Sequence, residues 1–309
     1  MTTYDAASPT ALLFNITKGS FVDGYGIRTT IFLKGCPLKC KWCCNPEGQS
    51  FAPELRLLID RCRGCGKCVP LCPEKALTIS DGLVQVDRAK CTGCGKCTSA
   101  CWFDALQIYG RETSAREMFD EIIRDKPFFA DSGGGLTIGG GEATCWSAFC
   151  QELIRLCHAE GIHTAIDSCG YPCTEEALAA LAAADLVLFD LKGMDSARHQ
   201  ENTGAGNEEI LRTFEHLRAT NKPVIVRAPL VPGDNDSPEE LAALGRLLRE
   251  SPNVERVDLM PYHEYGVSKY EEIGLAYPLA GKVEPYSQDQ VRQLLDFFRA
   301  YHPNVQIGG

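Results

Sequence analysis

The chain has 309 residues, of which 44% are hydrophobic and 23% are charged, so it is long enough to bury one large α/β domain and a small second module. Its 31 Lys and Arg stand against 41 Asp and Glu, and the net charge of −10 argues against nucleic acid or an anionic membrane as a partner. No apolar run reaches the roughly 18 residues of a membrane span, and the first ten residues, MTTYDAASPT, lack the basic and apolar regions of a signal peptide.

In chain order, the first predicted strand covers 28–34, and a cysteine-rich segment then interrupts the pattern as far as residue 110. From there, β-like apolar runs alternate with helical patterns, which predicts a parallel sheet in a barrel or a doubly wound fold. The predicted helices cover 114–126, 146–160, 174–184, 208–220, 237–250 and 287–302. The further predicted strands cover 136–140, 163–167, 186–192, 224–230, 254–263 (strand and loop) and 304–308.

Polar and thiol side chains follow several of these predicted strands. Chemistry in parallel α/β folds gathers at the carboxyl ends of the strands, so we take the residues found there as a candidate site. They are Cys36, Glu142, Asp167, Asp190, Lys192 and His263. Structural alternatives remain open for each: a surface ion pair for Asp190 and Lys192, a hydrogen-bonded loop histidine for His263, and a glycine-rich turn for 139–142.

Seventeen cysteines are present, and twelve of them fall between Cys36 and Cys101. Bunched cysteines in an intracellular chain indicate metal binding rather than disulfides. A run C-x2-C-x2-C-x3-C occurs twice, 29 residues apart, and each copy is followed by a short β-like run, LTIS at 77–80 and LQIY at 106–109. The two copies are Cys62, Cys65, Cys68 and Cys72, then Cys91, Cys94, Cys97 and Cys101.

This repeat is typical of bacterial ferredoxins with two [4Fe–4S] clusters, in which the fourth cysteine of each run binds the other cluster. Cys101 would then join the first three cysteines of the first run, and Cys72 those of the second. The alternative is a pair of zinc ribbons, which do not need the third cysteine at fixed spacing. We therefore predict a ferredoxin-like two-cluster domain at 52–110, inserted into a discontinuous α/β domain of 1–51 and 111–309.

A different spacing, C-x3-C-x2-C, joins Cys36, Cys40 and Cys43. Three thiolates can hold a cubane cluster and leave one iron open to an outside ligand, since a [4Fe–4S] cluster normally takes four. A zinc site completed by Cys44, or an unligated loop, are the alternatives. Five later cysteines follow no ligand spacing, and we predict them to be small buried hydrophobic residues: Cys145, Cys150, Cys157, Cys169 and Cys173.

The C-x3-C-x2-C loop resembles the signature of the radical S-adenosylmethionine (SAM) superfamily. The longer string from Gly24 to Asn45, with GYGIR before the strand, resembles the narrower signature of glycyl-radical-enzyme activating enzymes. The resemblance extends over nearly the whole chain and includes the inserted repeat, FDLK at 189–192 and RAPLVPG at 227–233. It implies a partial (β/α)6 barrel of the radical SAM type, interrupted by the ferredoxin-like domain.

By this resemblance, Cys36, Cys40 and Cys43 hold the catalytic cluster, and the chain carries three [4Fe–4S] clusters in all. Gly140, Gly141 and Glu142 would contact the amino group of SAM. The remaining implied contacts of SAM, including its sugar and carboxylate, are Trp42, Cys44, Asp167, Ser168, Asp190, Lys192 and His263. A monovalent cation is implied beside the SAM carboxylate, and Arg227 fits either a polar role at the rim or a structural one.

The implied activity is reductive cleavage of SAM to methionine and a 5′-deoxyadenosyl radical, which removes a hydrogen atom from a glycine of a partner glycyl radical enzyme. An external flavodoxin or ferredoxin would supply electrons through the inserted domain. We expect a monomer in an anaerobic cytoplasm. The alternatives are a radical SAM enzyme for a small molecule or another peptide, and a non-catalytic electron carrier.

The sequence says less about the partner enzyme. We lean toward an arylacetate decarboxylase or another enzyme of aromatic compounds, although no physical argument supports that choice. Tyr25 stands where relatives of this family carry proline. We expect this segment, which precedes the first strand, to face the protein substrate, and the departure leaves the assignment as an activating enzyme standing.

Overall fold

The computed structural model describes residues 8–308. The first seven residues and the last residue of the predicted α/β domain therefore lie outside the described part of the chain. Within 8–308, no helix has the length and apolar character needed to cross a membrane.

Thirteen strands and nine α-helices occur in the described residues. The strands are β1 (Thr10–Ser20), β2 (Arg28–Leu33), β3 (Glu54–Leu57), β4 (Leu77–Ser80), β5 (Leu83–Val86), β6 (Leu106–Tyr109), β7 (Arg111–Ser114), β8 (Gly135–Gly140), β9 (His163–Ser168), β10 (Leu186–Asp190), β11 (Val224–Leu230), β12 (Val254–Pro261) and β13 (Val305–Ile307). The helices are α1 (Ala115–Ile122), α2 (Lys126–Ser132), α3 (Ser147–Ala159), α4 (Glu175–Ala183), α5 (Ser196–Thr203), α6 (Glu208–Ala219), α7 (Pro238–Arg249), α8 (Val267–Glu272) and α9 (Gln288–Arg299).

One nine-stranded sheet has the order β13-β12-β11-β10-β9-β8-β2-β1-β7. All strands from β2 to β13 along this order are parallel, and β1 is antiparallel to both β2 and β7. The apolar faces of the strands and helices form one large core, to which Ile138, Phe189 and Phe214 contribute fully buried side chains. The predicted α/β class, with a largely parallel sheet interrupted after β2 by an inserted segment, is confirmed.

Seven elements of this fold were not predicted. Four are strands: β1 and β7 extend the large sheet by antiparallel pairing, and β3 and β5 pair with β6 and β4. The others are three short helices, α2, α5 and α8; α5 is polar along most of its length. The predicted helix over 114–126 starts as expected at a capping box of Ser114 and Glu117. It is broken at 123–125 by a 3-10 turn before α2, since Pro127 has no N–H to continue the helical ladder.

Residues between β2 and β7 form a small module of two hairpin-like pairs, β3 with β6 and β4 with β5. Its core holds only four buried aliphatic side chains, together with the thiols of Cys68 and Cys97. A core of this size gives little stability of its own, so ligand binding by its cysteines contributes directly to folding.

Two salt bridges and the hydrogen bonds of one arginine fasten this module to the barrel. Lys34 at the end of β2 pairs with Glu54 at 2.7 Å, and Arg56 pairs with Glu272 of α8 at 2.7 Å. Arg88 donates hydrogen bonds to the carbonyl oxygens of Leu55 in the module and Glu272 in the barrel. The module is thus joined to α8 through Glu272, whose side-chain carboxylate pairs with Arg56 and whose backbone carbonyl oxygen accepts from Arg88.

Candidate active site

A cavity opens at the carboxyl ends of the parallel strands, where the sequence placed the candidate residues. It brings together the loop after β2, the glycines at the end of β8, and polar residues from β9, β10 and β11. Its wall includes Cys36, Cys40, Trp42, Cys43, Cys44, Gly140, Gly141, Asp167, Ser168, Asp190, Lys192 and Arg227. Sequence analysis missed six further lining groups, or gave them no role there: Leu38, Asn45, Gln49, Cys169, Pro229 and Met260.

The three thiols of the C-x3-C-x2-C loop face this cavity, and burial raises the pKa of each. For Cys40 the pKa rises to about 12, with the neighbouring Cys43 adding to the effect of burial. Such thiols stay protonated at neutral pH unless a positive centre takes them as ligands, because thiolate is the form that binds metal. Three converging thiols in one cavity wall fit the iron–sulfur cluster that the spacing predicts.

The loop itself is held from the side by α8. Lys269 donates to Asn45 Oδ1 at 2.8 Å and pairs with Glu47 at 2.8 Å, while Tyr270 donates its hydroxyl proton to the carbonyl oxygen of Cys43 at 3.0 Å. These positioning residues escaped sequence analysis because α8 is only six residues long.

A buried arginine organises the acidic side of the cavity. Arg227 on β11 donates to Asp167 Oδ2 at 2.9 Å and to Asp23 Oδ1 at 3.0 Å, and also to the carbonyl oxygen of Val22. Burial works against its charge, but the two carboxylates outweigh burial and raise the pKa of Arg227. Arg227 fixes the segment before β2 against the barrel, which fits the structural role, and it also lies in the cavity wall, as the role at the rim requires.

Asp167 is the least satisfied group in this wall. Its Oδ1 atom is buried and has no hydrogen-bond partner among residues 8–308, although it borders the cavity. A buried acceptor that lacks a partner costs free energy until a donor reaches it. The hydroxyl groups of a sugar, or a cation, are groups that would satisfy it, so the residues present fit bound SAM.

Lys192 and Asp190 form a close ion pair in the same wall, with Nζ and Oδ2 2.5 Å apart. Burial lowers the pKa of Lys192, but Asp190 and the thiol of Cys40 outweigh it and keep that pKa well above its usual range. The pair is largely buried, with side-chain exposures of 12% and 25%. The surface ion pair considered as an alternative is therefore wrong.

Two predicted contacts lie outside the cavity wall. Glu142 is buried, and its carboxylate already accepts hydrogen bonds from Ser168 Oγ at 2.7 Å and from the Cys169 amide at 2.8 Å. It also accepts from the amide and hydroxyl of Thr144. Glu142 therefore ties the end of β8 to the end of β9. His263 is half-buried, and its ring stacks on that of Tyr265 at 4.4 Å between centroids.

The five cysteines after residue 140 do not cluster in one class of burial. Cys150, Cys157 and Cys169 are buried, while Cys145 and Cys173 are partly exposed. Cys169 combines burial with a position in the cavity wall, so its surroundings are not wholly apolar. The signal for that position was its place directly after Ser168 at a strand end.

Two smaller cavities lie in the inserted module, and each gathers four thiols. One is lined by Cys62, Cys65, Cys68 and Cys101. The other is lined by Cys72, Cys91, Cys94 and Cys97. These are the crossed sets of the ferredoxin pattern. Within residues 8–308, no three Cys, His, Asp or Glu side chains have the geometry to hold one metal ion.

Comparison with known proteins agrees with this geometry. Residues 89–245 match the model of the radical SAM superfamily, residues 61–105 match a 4Fe-4S dicluster domain, and residues 22–80 match a 4Fe-4S single cluster domain. A radical SAM methyltransferase from Sphaerobacter thermophilus shares the fold, with a TM-score of 0.51 and 14% identity over 97% of this chain and 77% of that one.

Two similar relatives carry the comparison from fold to family. The choline trimethylamine-lyase activating enzyme of Oleidesulfovibrio alaskensis is 43% identical over 88% of this chain and 89% of its own length. The benzylsuccinate synthase activating enzyme of Thauera aromatica is 38% identical over 96% of this chain and 92% of its own length. The chain therefore belongs to the radical SAM superfamily and, within it, to the glycyl-radical-enzyme activating enzymes.

Membership settles the kind of activity. The chain is an enzyme with iron–sulfur and SAM chemistry that acts on a partner glycyl radical enzyme. The prediction of an activating enzyme is confirmed, and the alternative of a non-catalytic electron carrier is wrong.

We expect Glu142→Gln to lower the free energy of unfolding by about 1–3 kcal/mol, because the amide that replaces one carboxylate oxygen no longer accepts a buried hydrogen bond. Chemical denaturation of the reconstituted protein measures the change. Glu284→Gln, at an exposed position, is the matched control and should have little effect. Equal stability of the two variants would show that the link between β8 and β9 is unimportant.

We also expect the stability of the protein without added SAM to depend on Asp167. Burial raises the pKa of Asp167 to about 7, against the attraction of Arg227 and with repulsion from Asp190 and Asp23. An aspartate in the unfolded chain titrates near pH 4, so between these values the folded state holds a proton that the unfolded state has lost.

The free energy of unfolding should therefore fall as the pH rises from about 4 to about 7, and level off above that range. Denaturation at pH 5.5, 6.5 and 7.5 measures this slope. Asp167→Asn should flatten it relative to the wild type, whereas an identical slope in both proteins contradicts the assignment.

Proposed function

We propose that this chain activates its partner with three [4Fe–4S] clusters, one at Cys36, Cys40 and Cys43 and two at the crossed cysteine sets of the inserted module. The observation that carries the proposal is the shared cavity, which brings the three thiols together with the glycines after β8 and the polar side chains of β9, β10 and β11. We further propose that residues 52–110 are a separate domain, inserted into one domain of 1–51 and 111–309.

When bound, the cluster and SAM would supply the radical chemistry that removes a hydrogen atom from the α-carbon of a glycine. The chain positions the reactants. Gly140 and Gly141 give the ligand close access to the backbone, and Lys192 presents a positive charge to the SAM carboxylate. Asp167 supplies an unpartnered acceptor, suited to a sugar hydroxyl or to the monovalent cation.

The other proposed SAM contacts rest on different observations. Trp42, Cys44, Ser168 and Asp190 line the cavity. For Glu142 we propose a positioning role, since its oxygens hold Ser168 and the Cys169 amide in place. His263 stays a proposal from the family resemblance, and its stacking on Tyr265 gives it a fixed orientation.

The partner is a glycyl radical enzyme, and the comparisons bear on which one. The two relatives described above are named for a choline lyase and for benzylsuccinate synthase, which act on chemically different compounds. Identities of 43% and 38% are too close to select between them. The expectation of a partner that acts on an aromatic compound remains a proposal, and the relative named for benzylsuccinate synthase supports it. We also propose a monomer that works in an anaerobic cytoplasm.

We expect the anaerobically reconstituted protein to hold about twelve iron atoms per chain and to form 5′-deoxyadenosine from SAM with dithionite. Cys40→Ala should lose that product and about four of the iron atoms, while Cys173→Ala, outside every proposed cluster, should keep both. Iron and product assays on the same sample measure this. About eight iron atoms in the wild type, or product from Cys40→Ala, contradicts the assignment of the loop.

We further propose that the module passes electrons inward from an external flavodoxin or ferredoxin. The double variant Cys65→Ser/Cys94→Ser should keep the cluster of the barrel and its SAM cleavage with dithionite, but should lose turnover with reduced flavodoxin. Formation of 5′-deoxyadenosine with each reductant measures the difference. Turnover at the wild-type rate with flavodoxin would show that the module is not the route.

A further inference from the structure

The two halves of the cysteine repeat have the same spacing but different neighbours. We call Cys62, Cys65, Cys68 and Cys101 the outer set, and Cys72, Cys91, Cys94 and Cys97 the inner set. Arg63 of the first half corresponds to Thr92 of the second, and Trp102 and Phe103 correspond to Pro73 and Glu74. Arg63 and Phe103 line the cavity of the outer set, whereas Thr92 and Glu74 line that of the inner set.

The inner set lies on the barrel side of the module. A side chain at Gly93 would meet the carbonyl oxygen of Pro53 at 2.1 Å, and Leu55, which also lines this cavity, is linked to α8 through Arg88. The outer set faces away from these contacts. A side chain at Gly64 would meet Gly82 instead, which belongs to the exposed turn between β4 and β5.

Beside the outer set, two aromatic rings stand in solvent. Trp102 is 80% exposed and Phe103 is 48% exposed. The Lys67 ammonium lies 3.8 Å from the centroid of the Trp102 ring, and the Arg63 guanidinium lies 6.0 Å from that of Phe103. Exposed aromatic and Arg side chains are enriched in protein interfaces, and nothing in the fold of this module requires Trp102 to be apolar.

The charge of the surface narrows the kind of protein that fits it. Residues 52–110 carry eight Lys and Arg against six Asp and Glu, whereas the rest of the chain carries 23 against 35. The side chains of the module thus sum to +2 and those of the rest of the chain to −12, and the exposed Arg63 and Lys67 place positive charge directly beside the two rings. A positive patch around exposed aromatic rings favours an acidic partner, because complementary charge steers association and excludes like-charged proteins.

We propose that Arg63, Lys67, Trp102 and Phe103 form the docking surface for a small acidic electron-carrier protein, so that electrons enter at the outer set and leave through the inner set. In each encounter the reduced carrier gives up one electron and the cluster of the outer set gains it. This inference rests on the proposed transfer of electrons through the module. The direction follows from the structure, since the inner set lies on the barrel side.

The test compares two charge reversals of equal size in the full-length reconstituted protein. Arg63→Glu/Lys67→Glu changes the outer surface, and Lys90→Glu/Lys96→Glu is the matched control beside the inner set. Trp102→Ala tests the aromatic contact separately.

The probe is a purified acidic flavodoxin. The affinity of each variant for oxidised flavodoxin is measured by calorimetry at low salt and at about 0.3 M salt. Cluster reduction by flavodoxin hydroquinone is followed by stopped-flow absorbance, and iron is counted for every variant.

We expect Arg63→Glu/Lys67→Glu to weaken flavodoxin binding at least tenfold at low salt, Trp102→Ala to weaken it severalfold, and the control to stay within about twofold. Reduction by flavodoxin should slow in the same order, while iron content and reduction by dithionite stay unchanged. Equal effects of the two charge reversals, or no binding of flavodoxin by the wild type, would overturn the docking surface. SAM cleavage that fails with dithionite in the wild type would instead contradict the proposed function.

Discussion

The buried Arg227 is the interaction on which the site depends. It joins Asp167 at the end of β9 to Asp23 before β2, and its own strand lies two places away from β9 in the sheet. The guanidinium of Arg227 thereby connects three parts of the barrel, namely β11, the end of β9 and the segment before β2. A buried charge of this kind is costly unless its partners are in place, so the ion pairs favour a single arrangement of the cavity wall.

That wall is built from a general property of parallel sheets rather than from any one motif. Because the strands run in one direction, the residues that follow β2, β8, β9 and β10 meet at the same edge. The cysteine loop comes from the first of these strands and the polar residues from the others. The chemistry of the cluster and that of SAM binding can thus be supplied by separate strands whose spacing the sheet fixes.

The sequence was informative where spacing or periodicity carries the chemistry. Cysteine spacing predicted the crossed sets in the module, and strand–helix alternation predicted the parallel sheet. It failed where tertiary contacts decide the outcome. The strand β7 forms because β1 lies beside it, and its four residues have no alternating pattern of their own. The hydrogen bonds of Glu142 to β9 join residues about 26 positions apart, and no local pattern announces them.

The helix α8 joins features that have been described separately. Through Lys269 and Tyr270 it holds the loop of Cys36, Cys40 and Cys43, and through Glu272 it holds Arg56 of the module. Excising residues 52–110 from the gene would therefore remove more than the two cysteine sets. It would leave the Glu272 carboxylate without its arginine and loosen the element that braces the catalytic loop, so a shortened protein of this family needs another brace in that place.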